Sequence, residues 1–369
     1  MKECRDAIRR REFGKKLASV GGGLALTANA VGAGTRTRKR MKQIKLGFDN
    51  YSIRELGWKA PRLLDYAASL QLDSILLSDL FVYAEHSERY LKDLKAKADD
   101  LGVEIQMGTG GICPSSDRRE TAFGSPEEHL RLTLRIAGVL GSTAARCFLG
   151  GMDDRKDPGG IQRHIETTVE LLRKVRGHAL DLGVKIAVEN HAGDLQAREL
   201  VGLIEAAGKD YVGATVDAGN ATWTLEDPVR NLEILAPYAV SSGIRDSMVW
   251  EDGRGARVQW TAMGEGCVDT EAYAEKFRAL CPNVPFQLEI ISGIQRSFPY
   301  LDSAFWGPYE SVRASDFAAF LALAKRGSPL EAFQAPAPPE KGAAIQTYQK
   351  TQLEHSIKYC KEELGLGLK

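Results

Sequence analysis

The feature that most constrains this chain is a repeated full stop. Leu-Gly recurs at Leu101-Gly102, Leu140-Gly141 and Leu182-Gly183, each time just before an apolar, strand-like run. Glycine at the end of a helix takes the left-handed conformation that turns the chain back, a place other residues enter at a cost. The spacing of about forty residues is one strand plus one helix per repeat. Strand candidates fall at 44–48, 74–77, 104–107, 145–149, 185–189, a run ending at Asp217, 239–244 and a run ending at Glu289. Helical patterns lie between them, the longest at 161–182. Ser125-Pro126-Glu127-Glu128 has the form of a capping box with proline at the first helical position. Eight alternating units over about 280 residues predict an α/β protein, a (β/α)8 TIM barrel. A doubly wound open sheet is the alternative, and no glycine-rich phosphate loop follows the first strand to support it. The last barrel helix is expected at 315–325.

The ends differ from the body. Residues 1–35 carry Arg10-Arg11-Glu12-Phe13-Gly14-Lys15, then a mildly apolar stretch and Ala28-Asn29-Ala30. That order of basic, apolar and small residues resembles a twin-arginine export signal and implies a periplasmic location. The barrel is expected to fill 44–326. Residues 327–369 form a Pro-rich linker, Ala335-Pro336-Ala337-Pro338-Pro339, and a charged C-terminal helical extension from Gln346 to Leu364. That helix either straps onto the barrel or forms a subunit contact, which would make a homo-oligomer. Formal net charge is zero, which argues against a nucleic-acid partner. No apolar run is long enough to span a membrane, so no membrane is expected in the mature form. The cysteines are widely spaced, with no CxxC pair that would hold zinc, and Cys147 reads as a small core residue.

Function is concentrated at strand ends. Lys185-Ile186-Ala187-Val188-Glu189-Asn190-His191 delivers a carboxylate, an amide and an imidazole at one end of an apolar run. Gly213-Ala214-Thr215-Val216-Asp217 and Pro285-Phe286-Gln287-Leu288-Glu289 also end in acids, the former followed by Ala218-Gly219-Asn220. A buried unpaired carboxylate is costly, so these acids are not filler. In a barrel of this kind the site lies at the carboxyl ends of the strands. Glu189, Asp217 and Glu289 are therefore expected to converge as metal ligands, on an oxygen-rich site that suits manganese or magnesium. His191 and Gln287 alternate with these acids and are further candidates.

Ala-Val-Glu-Asn-His, Val-Asp-Ala-Gly-Asn and Met-Gly-Glu-Gly-Cys-Val-Asp, in this order, resemble motifs of the sugar phosphate isomerase/epimerase family, the xylose-isomerase-like barrels. The resemblance covers about residues 44–325. It implies a divalent metal, manganese first, with magnesium, cobalt or zinc as alternatives. It also implies that Glu189 and Glu289 pass a proton through an enediolate. The substrate would be a small-molecule sugar or keto-glycoside. Two departures stand out. The pattern usually His-x-Lys-Asp on strand seven reads Gly243-Ile244-Arg245-Asp246, so the fourth ligand is missing. On strand two Leu76 stands where a glutamate is usual, with Asp79 further on.

Other candidates for ligand or substrate contact are Asn220, Arg245, Glu265 and His86. Arg245 either binds substrate or pairs with Asp246. His129, His164 and His178 fall within helix patterns and read as surface residues. Trp223, Trp250, Trp260 and Trp306 sit in or near expected loops, either as platforms for a sugar face or as loop packing. The function that follows is a metal-dependent isomerase/epimerase-like enzyme. The alternatives are a 3-keto-glycoside lyase on the same acids and a non-catalytic sugar-binding barrel. A phosphodiesterase of the related apurinic-site branch needs several histidines for a metal cluster, and only His191 stands near these acids.

Overall fold

The computed structural model describes residues 43–369, so the twin-arginine stretch lies outside the described residues. Within them the Leu-Gly stops behave as the repeat requires. Gly102, Gly141 and Gly183 sit at φ of +63°, +73° and +64°. Each donates its backbone N–H back into the helix it ends, α2 (Glu88–Leu101), α3 (Pro126–Leu140) and α4 (Gly160–Leu182). Ser125 and Glu128 form the reciprocal capping box at the head of α3.

Eight parallel strands make the barrel: β1 (Leu46–Asp49), β2 (Ser74–Leu77), β3 (Glu104–Gly111), β4 (Ala144–Phe148), β5 (Lys185–Glu189), β6 (Val212–Asp217), β7 (Ala239–Gly243) and β10 (Phe286–Leu288). Their order is β10-β1-β2-β3-β4-β5-β6-β7. The ring closes just past the end of β7, where Ile244 N–H donates to Gln287 O at 2.7 Å and Ile244 O accepts from Glu289 N–H at 3.0 Å. The strands are buried and rich in branched aliphatic residues, as a sheet covered on both sides requires. α1 (Ala60–Ser69), α5 (Ala197–Ala207), α7 (Pro228–Leu235) and α8 (Thr270–Leu280) continue the outer layer. A short α6 (Ala218–Trp223) follows directly on β6.

Three features differ from the sequence reading. A second, antiparallel sheet follows the barrel's seventh strand: β8 (Asp246–Asp252) and β9 (Gly255–Thr261) form a hairpin, and β11 (Gln295–Phe298) joins β9. Its turn carries Asp252-Gly253, a usual hairpin signal. The helix expected to complete the ring, α9 (Ala314–Ala324), packs on this sheet instead, its Phe320 and Leu323 against Val249, Val258 and Phe298. Finally, His129 and His164 are fully buried; His129 Nε2 meets Thr109 Oγ1, and His164 Nδ1 meets Ser115 Oγ at 2.8 Å. Their helices turn these positions inward, and each ring has a polar partner that offsets its burial.

The C-terminal helix α10 (Lys341–Glu362) fills the vacated place in the ring. Glu354 accepts from Tyr66 Oη of α1 at 2.9 Å, and Tyr359 Oη meets Thr270 Oγ1 of α8 at 2.8 Å. Leu353, Ile357 and Cys360 join the barrel core. The tail beyond it then crosses the amino ends of the strands, where Gly367 N–H donates to Ile44 O at 3.0 Å. The described cysteines form no disulfide, and no described helix is long and apolar enough to cross a membrane. Leu353→Ala should therefore cost about 2–5 kcal/mol, the range for a truncated core leucine. Urea unfolding is expected to show a lower midpoint at unchanged slope; an unchanged midpoint would mean that α10 is only tethered.

Candidate functional site

The strand ends bring Glu189, Asp217 and Glu289 together: each offers a carboxylate oxygen within 4.8 Å of the others. All three are buried. Asn190, next in line after Glu189, locks the two strand ends. Its amide donates to Asp217 O and accepts from Asp217 N, both at 2.9 Å. Asn220 bridges the acids, its Nδ2 donating to Glu189 Oε1 at 2.8 Å and its backbone N–H to Asp217 Oδ1 at 2.6 Å. Strand β7 ends in Gly243 for a steric reason. A Cβ there would lie 2.7 Å from Asp217 Oδ2 and 3.2 Å from Glu289 Oε2.

Two arginines neutralise this cluster. Arg245, just past β7, places Nη2 on Asp217 Oδ2 and, at 2.6 Å, on Glu289 Oε2. Arg146, in the middle of β4, places Nε on Glu189 Oε2 and donates from Nη1 to Thr109 O at 3.1 Å. Asp49, at the end of β1, is a fourth buried acid beside them, accepting from Tyr51 N and Ser78 Oγ. Four carboxylates thus face two guanidinium groups, and burial decides who keeps a proton. Burial, with the charge of Glu289, raises Asp49 well above the carboxylate range. Burial also raises Glu189, against the pull of Arg146, and Asp217, against that of Arg245. Burial pushes Glu289 the same way, but Arg245 and Arg146 together outweigh it and hold its carboxyl low. Asp217 and Glu289 share Arg245 yet shift in opposite directions. Glu289 is the ionised one because two guanidinium groups act on it.

A cavity of about 440 Å³ opens over the cluster. Glu289, Arg146, Arg245, Asn220 and His191 line it; Glu189 and Asp217 are not on its wall. His191 stacks on Phe148, with ring centroids 3.7 Å apart, and its Nδ1 is 2.9 Å from Gly150 O, so this nitrogen carries the hydrogen and Nε2 is left as the acceptor. Burial, then Arg146, keeps the ring neutral, with its pKa pushed down to about 3. The antiparallel sheet supplies the opposite wall. Trp260 of β9 stacks on Trp223 at 3.9 Å and bonds Gly219 O through Nε1 at 2.9 Å. Arg245 lies over Trp260 at 4.4 Å, and Arg296 over Trp223 at 4.5 Å.

Other candidates lie elsewhere. Gln287 is buried in the barrel interior, bonding Ser74 Oγ at 3.0 Å, away from the cavity. Glu265 is exposed and faces His355 at 3.6 Å. Its loop is instead organised by Asp246, which accepts from the backbone of Gly264, Gly266 and Val268, and so does not pair with Arg245. His86 is half-buried against Phe123, with Nε2 on Leu80 O. Asp79 reaches the cavity wall but accepts from Phe81 N–H. Asp49 and Arg146 were not anticipated, whereas Trp223 and Trp260, named as candidate platforms for a sugar face, stack on each other at the cavity wall. Arg146 had a legible signal, a lone charge inside the apolar run Ala144-Ala145-Arg146-Cys147-Phe148.

By distance alone the three acids could hold a divalent ion. As they stand they do not fit one, because arginine already occupies them.

This fold and strand-end site define a class, and residues 64–306 match the family described as Xylose isomerase-like TIM barrel. The chain belongs to that family. A curated relative, 3-oxo-isoapionate decarboxylase of Pectobacterium atrosepticum, is 22% identical over 233 residues, 60% of this chain and 77% of that protein. Among solved structures, a D-psicose 3-epimerase crystallised in the presence of D-fructose is 17% identical, with a TM-score of 0.57 over 87% of this chain and all of the other. A further barrel, solved with a bound zinc atom, is 13% identical, with a TM-score of 0.52 over 76% of this chain and 96% of its own. At these identities the structural likeness concerns the fold.

Arg146→Met would leave the buried Glu189 carboxylate without its cation, at a cost of about 3–5 kcal/mol. Adding Glu189→Gln should recover part of that loss in a double-mutant cycle by chemical denaturation. Additive losses would mean that the pair is not coupled.

Proposed function

We propose that this chain is a sugar-acting enzyme that removes a proton next to a carbonyl and works through an enediolate. The observation that carries the reading is Glu289, an ionised carboxylate on the cavity wall flanked by the guanidinium groups of Arg245 and Arg146. A hydrogen beside a carbonyl is weakly acidic, and the difficulty is the oxyanion left behind. Donors aimed at that oxygen lower the barrier most when they are fixed and dry. Arg245 supplies them: its Nε and Nη1 are buried and without a hydrogen-bond partner among the described residues. Glu289 takes the proton as general base, a role worth roughly 10²–10⁴-fold. As a carboxylic acid it returns the proton to the neighbouring carbon, while the hydroxyl proton on the carbon that lost its hydrogen passes to the former carbonyl oxygen, which is isomerisation on one face of the substrate. Return to the opposite face, as in epimerisation, calls on Glu189, which lies off the cavity wall and is bonded to Asn220 and Arg146. Glu189 is the acid partner of the pair, because its environment and that of Glu289 push the two pKa values apart. Asn220 and neutral His191 orient the sugar hydroxyls, and Trp223 and Trp260 form the apolar wall.

A second reading shares the intermediate. Loss of CO₂ from a 3-oxo sugar acid leaves the same enolate, with the departing bond's electrons on the carbonyl oxygen. Six basic side chains line the cavity, Arg54, Arg118, Arg146, Lys156, Arg245 and Arg296, against Asp79, Asp153 and Glu289. Such a lining favours a substrate that carries a carboxylate, and the curated relative is named for decarboxylating a 3-oxo acid. Export through the twin-arginine route remains our proposal for the location, to be checked by cell fractionation of the full chain.

Proton NMR in D₂O, with ketoses, 3-keto-glycosides and a 3-oxo sugar acid, tests both readings. Deuterium beside the carbonyl with an isomer appearing supports the first; CO₂ release with deuterium left in its place supports the second. Loss of the aglycone would make the enzyme a lyase on the same acids. Glu289→Gln should abolish exchange, and exchange that survives the change would exclude Glu289 as base. The rate should fall on the alkaline side as Glu189, raised to about 7, loses its proton. Arg146 lowers that pKa, so Arg146→Gln should move the alkaline limb to higher pH.

A further inference from the structure

We infer that Arg245 is the built-in cation of this site: its guanidinium stands where a divalent ion would have to sit, and the Glu189–Asp217–Glu289 cluster takes no metal. Five of the six carboxylate oxygens of the cluster already have an N–H partner. Asn220 Nδ2 and Arg146 Nε hold Glu189, Asn220 N and Arg245 Nη2 hold Asp217, and Arg245 Nη2 holds Glu289 Oε2. An ion bound by Asp217 and Glu289 would sit against Arg245 Nη2, and two like charges in a buried site repel strongly. To make room, Arg245 would have to leave, and two contacts hold it besides its ion pairs. Trp260 covers its guanidinium, and Trp260 is itself pinned by Trp223 and Gly219 O. The arginine stem runs against Gly219 so closely that a Cβ there would lie 2.4 Å from Arg245 Cδ. The side chain is 1% exposed. Gly243 stands where the strand-seven pattern has histidine, so that position offers no ligand, and Arg245 two residues on supplies a fixed positive charge instead. A neighbouring fold holds zinc, so the barrel permits a metal; these residues do not. The consequence for chemistry is that a substrate oxyanion meets Arg245 Nε and Nη1, which have no other partner among the described residues. That consequence rests on the carbonyl chemistry proposed above, whereas the exclusion of metal does not.

The test is a binding measurement. The purified full chain is dialysed against EDTA and titrated with MnCl₂, free Mn²⁺ being followed by electron paramagnetic resonance. Wild type and Asp217→Asn are expected to bind alike, with no site that depends on Asp217. That comparison also sets aside any ion taken by Asp154, Asp157 and His164, a second cluster that shares no residue with these acids. Arg245→Ala and Arg245→His should each gain one Mn²⁺ per chain, lost again when Asp217→Asn is added. They should also recover thermal stability when the ion is supplied. One Mn²⁺ per wild-type chain, abolished by Asp217→Asn, would overturn the inference. So would a folded Arg245→Ala, confirmed by circular dichroism, that still takes no ion. If neither Arg245 variant folds, the wild-type and Asp217→Asn pair decides alone. A metal-free site with no deuterium exchange in any substrate would leave this inference standing and remove only the proposed reaction.

Discussion

Everything at the mouth of this barrel depends on how buried negative charge is compensated. Glu189, Asp217, Glu289 and Asp49 are nearly solvent-free, and each would be expensive to keep ionised alone. Arg146 and Arg245 meet that demand with directional N–H groups as well as charge. The compensation is incomplete, with two cations for four acids, so protons must settle on some of them. It is also asymmetric. Glu289 faces both guanidinium groups and stays ionised, while Asp49 lies against Glu289 and keeps its proton. A set of similar side chains thereby acquires different protonation states at one pH.

The rest of the fold serves that arrangement. The parallel strands align their carboxyl ends, and Asn190 and Asn220 tie the end of β5 to the end of β6. Gly243 gives the acids space to approach each other, and Gly219 makes way for the arginine stem. The antiparallel sheet is an addition with a purpose that its position explains. It carries Trp260 and Arg296, which with Trp223 and Arg245 form a stack of two indole rings between two cations beside the cavity. Cation–π contacts of this kind are strongest where water is excluded, as it is at Arg245. Inserting that sheet also moves α9 off the ring, and α10 fills the gap with Leu353, Ile357 and Cys360.

Much of this architecture could be read from the chain. The Leu-Gly stops, the capping box and the eight strand runs are local signals, because helix termination and strand burial are decided over a few residues. The strand-end acids were legible for the same reason, since an acid closing an apolar run is anomalous wherever it occurs. The hairpin at 246–261 was less visible, because its alternation is short and its turn lies in a polar stretch. His129 and His164 were misplaced because helix periodicity gives a face but not what lies against it; Thr109 and Ser115, far from them in sequence, make those positions habitable.

By itself the sequence determined the order of the barrel strands, the barrel and the identity of three converging acids, since periodicity, helix stops and the cost of buried charge act locally. The tertiary structure alone decided what those acids are paired with. Arg146 comes from β4 beside β5, and Arg245 from the end of β7 beside β6; strand pairing sets them against Glu189 and Asp217, and closure of the ring on β10 brings Glu289 to Arg245. Whether an arginine near an acid is a neighbour, a substrate anchor or the occupant of the site depends on distances of a few ångström between residues far apart in the chain, and packing sets those distances.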